Sequence, residues 1–428
     1  MQIHVVQPGQ SIFQIAQLYN STVSAIVGAN EVPNPNQLVV GQTLVIPIVG
    51  SYYWVQPGDN LYSIGQRFGI NYQELARING IPVNQPLQVG LRLYIPPRPR
   101  RRAEINAYVE PIGDTVTPAL EEAARKAAPF LTYLAPFSFQ VNRDGTLKAP
   151  PLNNFPAIAR ANGAALMMVV TNLEEGQFSA ELGRIILTDE AVQNRLLDNI
   201  IATARQYNLG DIHFDMEFLP TDLRENYNNF LRKAKARLSA EGLLMSTALA
   251  PKTSATQVGE WYEAHDYRAH GEIADFVVLM TYEWGYSGGP PMAVSPIGPV
   301  RQVIEYALTE MPANKIMMGQ NLYGYDWTLP YVPGGPYARA VSPQQAIQIA
   351  AEHNVPIRYD YTAQAPYFNY TDDQGRQHIV WFEDARSIQA KFNLVKELGL
   401  RGVSYWKLGL PFPQNWLLIE ENFDVVKR

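Results

Sequence analysis

Hydrophobic patterning divides the chain into two regimes. In the first hundred residues the apolar positions come as a repeated unit. The segment from Val6 to Tyr19 (VQPGQSIFQIAQLY) recurs from Val55 to Phe68 (VQPGDNLYSIGQRF), an offset of 49. The same offset relates Asn30 to Asn79, Leu38 to Leu87, Val40-Gly41 to Val89-Gly90 and Ile46-Pro47 to Ile95-Pro96. In the first copy a strand (His4–Val6) leads through a Pro-Gly turn into a helix whose Ile12, Ile15, Ala16 and Tyr19 share one face. A second helix follows, ending near the Asn, then a Gly turn and a closing strand (Leu44–Ile46). This predicts two βααβ units, over 2–48 and 51–97. The run Pro96-Pro-Arg-Pro-Arg-Arg-Arg102 excludes helix and central strand, and 98–103 reads as a short, semi-rigid Pro/Arg linker.

From Glu104 onward, apolar runs alternate with helical patterns. The predicted strands are Ile105–Glu110, Tyr133–Phe139, Ala165–Thr171, Asp211–Phe218, Leu244–Ala250, Phe276–Tyr282, Ile316–Tyr323 and Gly402–Lys407. Helices such as Ala191–Tyr207 and Arg224–Leu238 lie between them. Eight strands with crossover helices over 104–428 predict the α/β class, a (β/α)8 TIM barrel. The Tyr- and Pro-rich stretch 324–383 is too long for a loop and reads as a small α+β insertion.

Composition narrows the function. Residues 1–97 carry three Arg and three acidic side chains, residues 98–102 four Arg, and the rest 27 basic against 37 acidic. So acidic a domain is a poor nucleic-acid binder, and the arginine run reads as solvated linker. There is no Cys, which excludes disulfides, thiolate metal sites and a cysteine nucleophile. The six His show no metal-ligand spacing. No window approaches a membrane span, and the N-terminus has neither the basic nor the apolar region of a secretory signal.

One predicted strand carries the candidate chemistry: Ile212-His-Phe-Asp-Met-Glu-Phe218. Alternation puts His213, Asp215 and Glu217 on one face. An antiparallel strand with a wetted face would carry such a triplet without consequence. Inside a barrel, three titratable groups demand partners or a task. Asp215 and Glu217 stand about 6.5 Å apart along a strand, badly placed to flank a scissile bond as acid and separate nucleophile. One acid with a neighbour that raises its pKa fits better. Glu110, Asn172, Gln320, Asn321 and Tyr323, at other strand ends, are further pocket candidates.

The two N-terminal copies resemble the lysin motif (LysM), a module that binds N-acetylglucosamine-containing glycans such as peptidoglycan and chitin. The resemblance implies a groove lined by Gln10, Ser11 and Ile12 with Asn30 to Pro33, and by Asp59, Asn60 and Leu61 with Asn79 to Pro82. Asp215-Met-Glu217, with Met280-Thr-Tyr282 and Trp406, resembles family 18 glycoside hydrolases, the chitinase family. Together the two resemble bacterial spore-cortex glycosidases active in germination.

That resemblance implies an N-acetylglucosaminidase that cleaves the β-1,4 bond after N-acetylglucosamine with retention. Glu217 is then general acid and base, the substrate's 2-acetamido oxygen the nucleophile, and Asp215 and Tyr282 orient that group. Trp406 forms the floor under the sugar, with His213, Met280, Glu283, Asn321 and Tyr323 around it. His213 stands where the family commonly has Asp or Asn, and Glu283 where Asp is frequent. No metal or cofactor is implied. The expected partners are peptidoglycan strands or cortical fragments, met by a spore-associated monomer of the cortex and coat region. A non-catalytic, lectin-like barrel and a chitinase are the alternatives.

Overall fold

The computed structural model describes all 428 residues. The first module pairs strands Gln2–Val5 and Thr43–Ile46 antiparallel around helices Ile12–Leu18 and Val23–Asn30. The second repeats this with Ser51–Trp54, Leu61–Phe68, Tyr72–Asn79 and Arg92–Ile95. The first helix of each starts at a capping box. Ser11 and Gln14 satisfy each other's backbone N–H, as do Asn60 and Ser63.

Cores of nine and seven buried residues are too small to stand firmly alone, and the modules lean on their neighbours. Tyr52 and Trp54 of the second pack on the core of the first. The Gln2 carboxamide bonds both the N–H and the carbonyl of Tyr52. The first module in turn docks on the barrel. Gln414 donates to the Asn30 side chain at 2.9 Å and to the Thr43 carbonyl at 2.7 Å. Ile357 N–H donates to the Val40 carbonyl. Gly41, at φ +85°, comes so close that an added Cβ would lie 1.8 Å from the Ile357 oxygen.

Eight parallel strands close the barrel: β1 (Arg101–Val109), β2 (Tyr133–Pro136), β3 (Ala165–Thr171), β4 (Asp211–Asp215), β5 (Leu244–Leu249), β6 (Phe276–Leu279), β7 (Ile316–Asn321) and β8 (Gly402–Trp406). Each pairs with the next, and β8 pairs with β1. A 69-residue apolar cluster fills the space between strands and helices. A smaller one, with Tyr108, Tyr133, Met167, Phe276 and Met317, fills part of the barrel interior.

The arginine run is not all linker. Arg101 and Arg102 belong to β1, paired with Phe423–Val425. Arg101 donates to the carbonyls of Val395 and Lys396 in the last turn of helix Ala385–Glu397 and to that of Leu400 just beyond it, capping the helix end. Several strands stop earlier than their apolar runs. β2 ends at Pro136, which has no N–H to offer. β6 ends at Leu279, after which tight turns bond Thr281 to Leu279 and Tyr282 to Met280. After β7 the chain forms a five-stranded antiparallel sheet with helix Pro343–Glu352 beside it.

Candidate active site

At the C-terminal ends of the strands lies a cleft of about 800 Å³, ligand-sized and on the face where barrels carry their chemistry. Asp215, Glu217, Met280, Tyr282, Glu283, Tyr323, Trp406 and Glu110 all line it. So do Tyr108, Trp261, Tyr325 and Lys407, which the sequence reading did not single out.

β4 ends at Asp215, so Glu217 is not held by the sheet. The Asn172 carboxamide replaces the missing ladder: its oxygen accepts from Glu217 N–H and its nitrogen donates to the Glu217 carbonyl, both at 3.0 Å. Trp261 Nε1 donates to Glu217 Oε2 at 2.5 Å. Burial pushes the Glu217 pKa well above the carboxylate range; Asp215 adds to this and the indole opposes it. Asp215 is raised by burial as well, and its Oδ1 has no hydrogen-bond partner. A raised pKa keeps a proton on this pair near neutrality.

His213 does not reach the cleft. It is fully buried below it, between the Tyr108 hydroxyl (2.7 Å) and Ser246 Oγ (2.8 Å), because a residue two positions before the strand end sits one layer down. Asn321 is likewise spent internally, accepting from Ser295 and donating to the Tyr323 carbonyl. Gln320 donates to Asn321. Glu283, at φ +67°, accepts from the Tyr323 and Tyr325 hydroxyls; its pKa is raised, chiefly by burial. Trp406 packs edge-on against Tyr108 and Phe137. Lys407 Nζ lies 5.5 Å from the Trp406 ring centroid and pairs with Glu110. Trp261 lies in a loop with no periodicity to betray it. Tyr108 was legible as a strand residue but not as a cleft residue.

Comparison with known proteins gives this arrangement a family. Residues 107–410 match the glycosyl hydrolases family 18. The chain belongs to glycosyl hydrolase family 18. It is 69% identical over 428 residues to the cortical fragment-lytic enzyme of Bacillus subtilis (strain 168), covering all of this chain and 99% of that protein. It superposes with TM-score 0.93 and 58% identity on the crystal structure of the Bacillus megaterium QM B1551 spore cortex-lytic enzyme SleL, covering 100% and 99% of the two chains. The Chromobacterium violaceum ATCC 12472 chitinase shares the barrel at TM-score 0.68 and 23% identity, over 74% of this chain and 98% of that one.

Residues 4–47 and 53–96 match the LysM domain, so the family 18 barrel carries two such modules. Here the residues expected in the groove divide. Asn30 and Asn79 are spent inside their modules: each side chain bonds a helix carbonyl (Ile26, Leu75) and both backbone groups of a strand residue (Val45, Tyr94). They staple helix to strand with both N–H groups of the carboxamide used; the second lone pair of the Asn30 oxygen accepts from Gln414 of the barrel, and Asn79 keeps a single lone pair. Ile12 and Leu61 bury their side chains. Gln10 and Asp59 hold the turn, accepting from Gln7 N–H and Gln56 N–H. Ser11 and Asn60 remain exposed at the helix starts. Next to them stand Phe13 and Tyr62, equivalent in the repeat and 58% and 60% exposed. The repeat offset and their outward position on the helix were the signal that would have found them.

Proposed function

We propose that this glycoside hydrolase cuts the β-1,4 bond after N-acetylglucosamine in spore-cortex peptidoglycan fragments, by retaining, substrate-assisted catalysis. The observation that carries the reading is the buried Asp215–Glu217 pair at the end of β4, with both pKa values raised. Glu217 then holds the proton that the leaving glycosidic oxygen needs. The partnerless Asp215 oxygen suits an acetamide N–H, orienting the acetamide so that its carbonyl oxygen attacks C1. The C1–O bond to the leaving sugar breaks as the oxazolinium ring forms, and Glu217, now ionised, takes a proton from the water that reopens it. Tyr282 bonds the acetamide oxygen and Trp406 supports the sugar's C–H face. Met280 and Tyr323 shape the pocket around them.

A two-carboxylate mechanism has less support. Glu283, another acid in the cleft, is tied to two tyrosine hydroxyls rather than free to attack. The names of the relatives support cortical fragments as substrate and the spore as the place of action. The LysM modules hold the glycan, with Ser11, Asn60, Phe13 and Tyr62 at their exposed face.

Glu217→Gln tests the assignment. The amide keeps the shape but lacks a transferable proton. Turnover of soluble cortical fragments is expected to fall by about 10²–10⁴-fold or more, with the melting temperature kept or raised and fragment binding retained. Turnover like wild type would overturn it.

A further inference from the structure

Below the catalytic pair runs a chain of buried polar groups that the proposed mechanism leaves unused. Asp211 and His213 lie on β4, Ser246 beside His213 on β5 in direct register, and Tyr108 on β1. All four are 3% exposed or less. We propose that Asp211 is a positioning residue for the catalytic pair, acting through Ser246 and His213 to set which way the Tyr108 hydroxyl donates. The proposal rests on the catalytic reading of Asp215 and Glu217.

The direction follows from proton counting. Ser246 Oγ donates to Asp211 Oδ2 at 2.8 Å. A hydroxyl has one proton, so at its 2.8 Å contact with His213 Nδ1 it accepts. Nδ1 therefore carries the imidazole proton and Nε2 is bare. Nε2 accepts from Tyr108, whose hydroxyl lies at 2.7 Å and so donates into the barrel, away from the cleft. His213 stays neutral throughout, since burial holds its pKa down to about 3.

The far end of the chain titrates. Asp211 faces Glu104 from β1, Tyr133 from β2, apolar Met167 from β3, Asp275 ahead of β6, Arg401 ahead of β8 and the C-terminal Arg428. The acids and arginines largely oppose each other. Burial dominates and pushes Asp211 up to about 7. One proton entering from the cleft at Tyr108 can pass along the chain. Tyr108 gives its own to His213 Nε2, Nδ1 gives its own to Ser246, and Ser246 gives its own to Asp211. Nothing else is gained or lost. Every bond then points the other way: Asp211 donates to Ser246, Ser246 to Nδ1, and Nε2–H to the Tyr108 oxygen. The new Tyr108 proton points away from His213, where Ser404 is the other hydrogen-bond partner of that hydroxyl and Asp215 the charge acting most strongly on it.

Histidine tautomers distinguish the two states without substrate, so this inference can fail while the catalytic reading stands. In 15N-histidine-labelled full-length protein, the His213 signal is assigned by its loss in His213→Gln. It is expected to show the Nδ1–H tautomer above about pH 8 and the Nε2–H tautomer below about pH 6. Asp211→Asn and Ser246→Ala abolish the switch, and Ser246→Thr keeps it. In parallel, Asp211→Asn and Ser246→Ala lower kcat about tenfold with KM within about twofold, while Ser246→Thr stays near wild type. A single, pH-independent tautomer in the wild-type protein would overturn the proposal, even if the Asp211 variant fails to fold. So would an unaltered switch in Asp211→Asn.

Discussion

The indole Nε1 of Trp261 donates to Oε2 of Glu217 at 2.5 Å, and that indole is itself stacked on Phe218 with the rings 10° from parallel. A loop residue thus holds the carboxyl of Glu217, while Asn172 holds its backbone. The hydrogen bond favours the ionised form and partly offsets the burial that raises the Glu217 pKa.

Trp261→Phe keeps the stacking face and removes the donor. The Glu217 pKa is expected to rise, so the alkaline limb of the kcat/KM profile, where the acid loses its proton, moves to higher pH. The carboxyl also loses its fixed rotamer, and kcat falls by about tenfold. A profile superimposable on wild type would remove Trp261 from the account.

Buried carboxyls make stability depend on pH with a definite sign. Asp215 has a folded-state pKa above its unfolded value. Its contribution is complete below about pH 4 and is lost as pH rises through the folded value. Asp215→Asn is therefore expected to match wild type near pH 4 and to exceed it by roughly 4 kcal/mol at pH 8, read by urea titration. The neutral histidines act oppositely. His213, His265 and His270 are held down to about 3, 4 and 3. Their contribution is complete above pH 6.5 and is lost as pH falls through those values, so they drive acid unfolding. An Asp215→Asn advantage that grew toward low pH would contradict this assignment.

How much of this was legible in the sequence depended on whether the physics was periodic. The 49-residue repeat, the βα alternation and the His213–Asp215–Glu217 alternation are local patterns, and they marked the modules, the barrel and the carboxyl pair that lines the cleft. Asn30 and Asn79 were read as groove residues because turn asparagines look alike in sequence; only the fold shows them stapling helix to strand. Asn321 and His213 looked like cleft residues because alternation gives the face of a strand but not the depth. Arg101 and Arg102 looked like linker because the carbonyls that Arg101 caps lie nearly 300 residues away. Trp261 and Tyr108 reach the site only through tertiary packing.

The first module's grip on the barrel has a measurable consequence. Gln414→Ala leaves the buried Asn30 and Thr43 groups short of a partner, and the cost is expected at about 1–3 kcal/mol. Gly41→Ala should cost at least as much, since its Cβ has no room beside Ile357. Calorimetry of the full chain checks both. Unchanged melting in both variants would mean that the module hangs free of the barrel.

Retention on insoluble wall separates holding from cutting. Tyr62→Ala and Phe13→Ala remove exposed rings without touching the cleft. Each is expected to weaken sedimentation with insoluble cortex by about threefold or more, stacking on a ring face being worth on the order of 1 kcal/mol. Turnover of small soluble fragments should stay the same. Equal sedimentation of the double variant and wild type would assign glycan holding to another surface.

In the proposed mechanism the substrate's own 2-acetamido group does the nucleophile's work beside Asp215 and Tyr282. Muramic δ-lactam carries no acetyl on its nitrogen and cannot supply that nucleophile, and N-acetylmuramic acid would have to fit its lactyl group and peptide over Trp406. The sugar before the cut must then be N-acetylglucosamine. Borohydride reduction of the digest of spore-cortex fragments, followed by acid hydrolysis, reads the new reducing end directly. Glucosaminitol is the expected product. Muramicitol in its place would make the enzyme a muramidase and end the substrate-assisted reading of Asp215 and Tyr282.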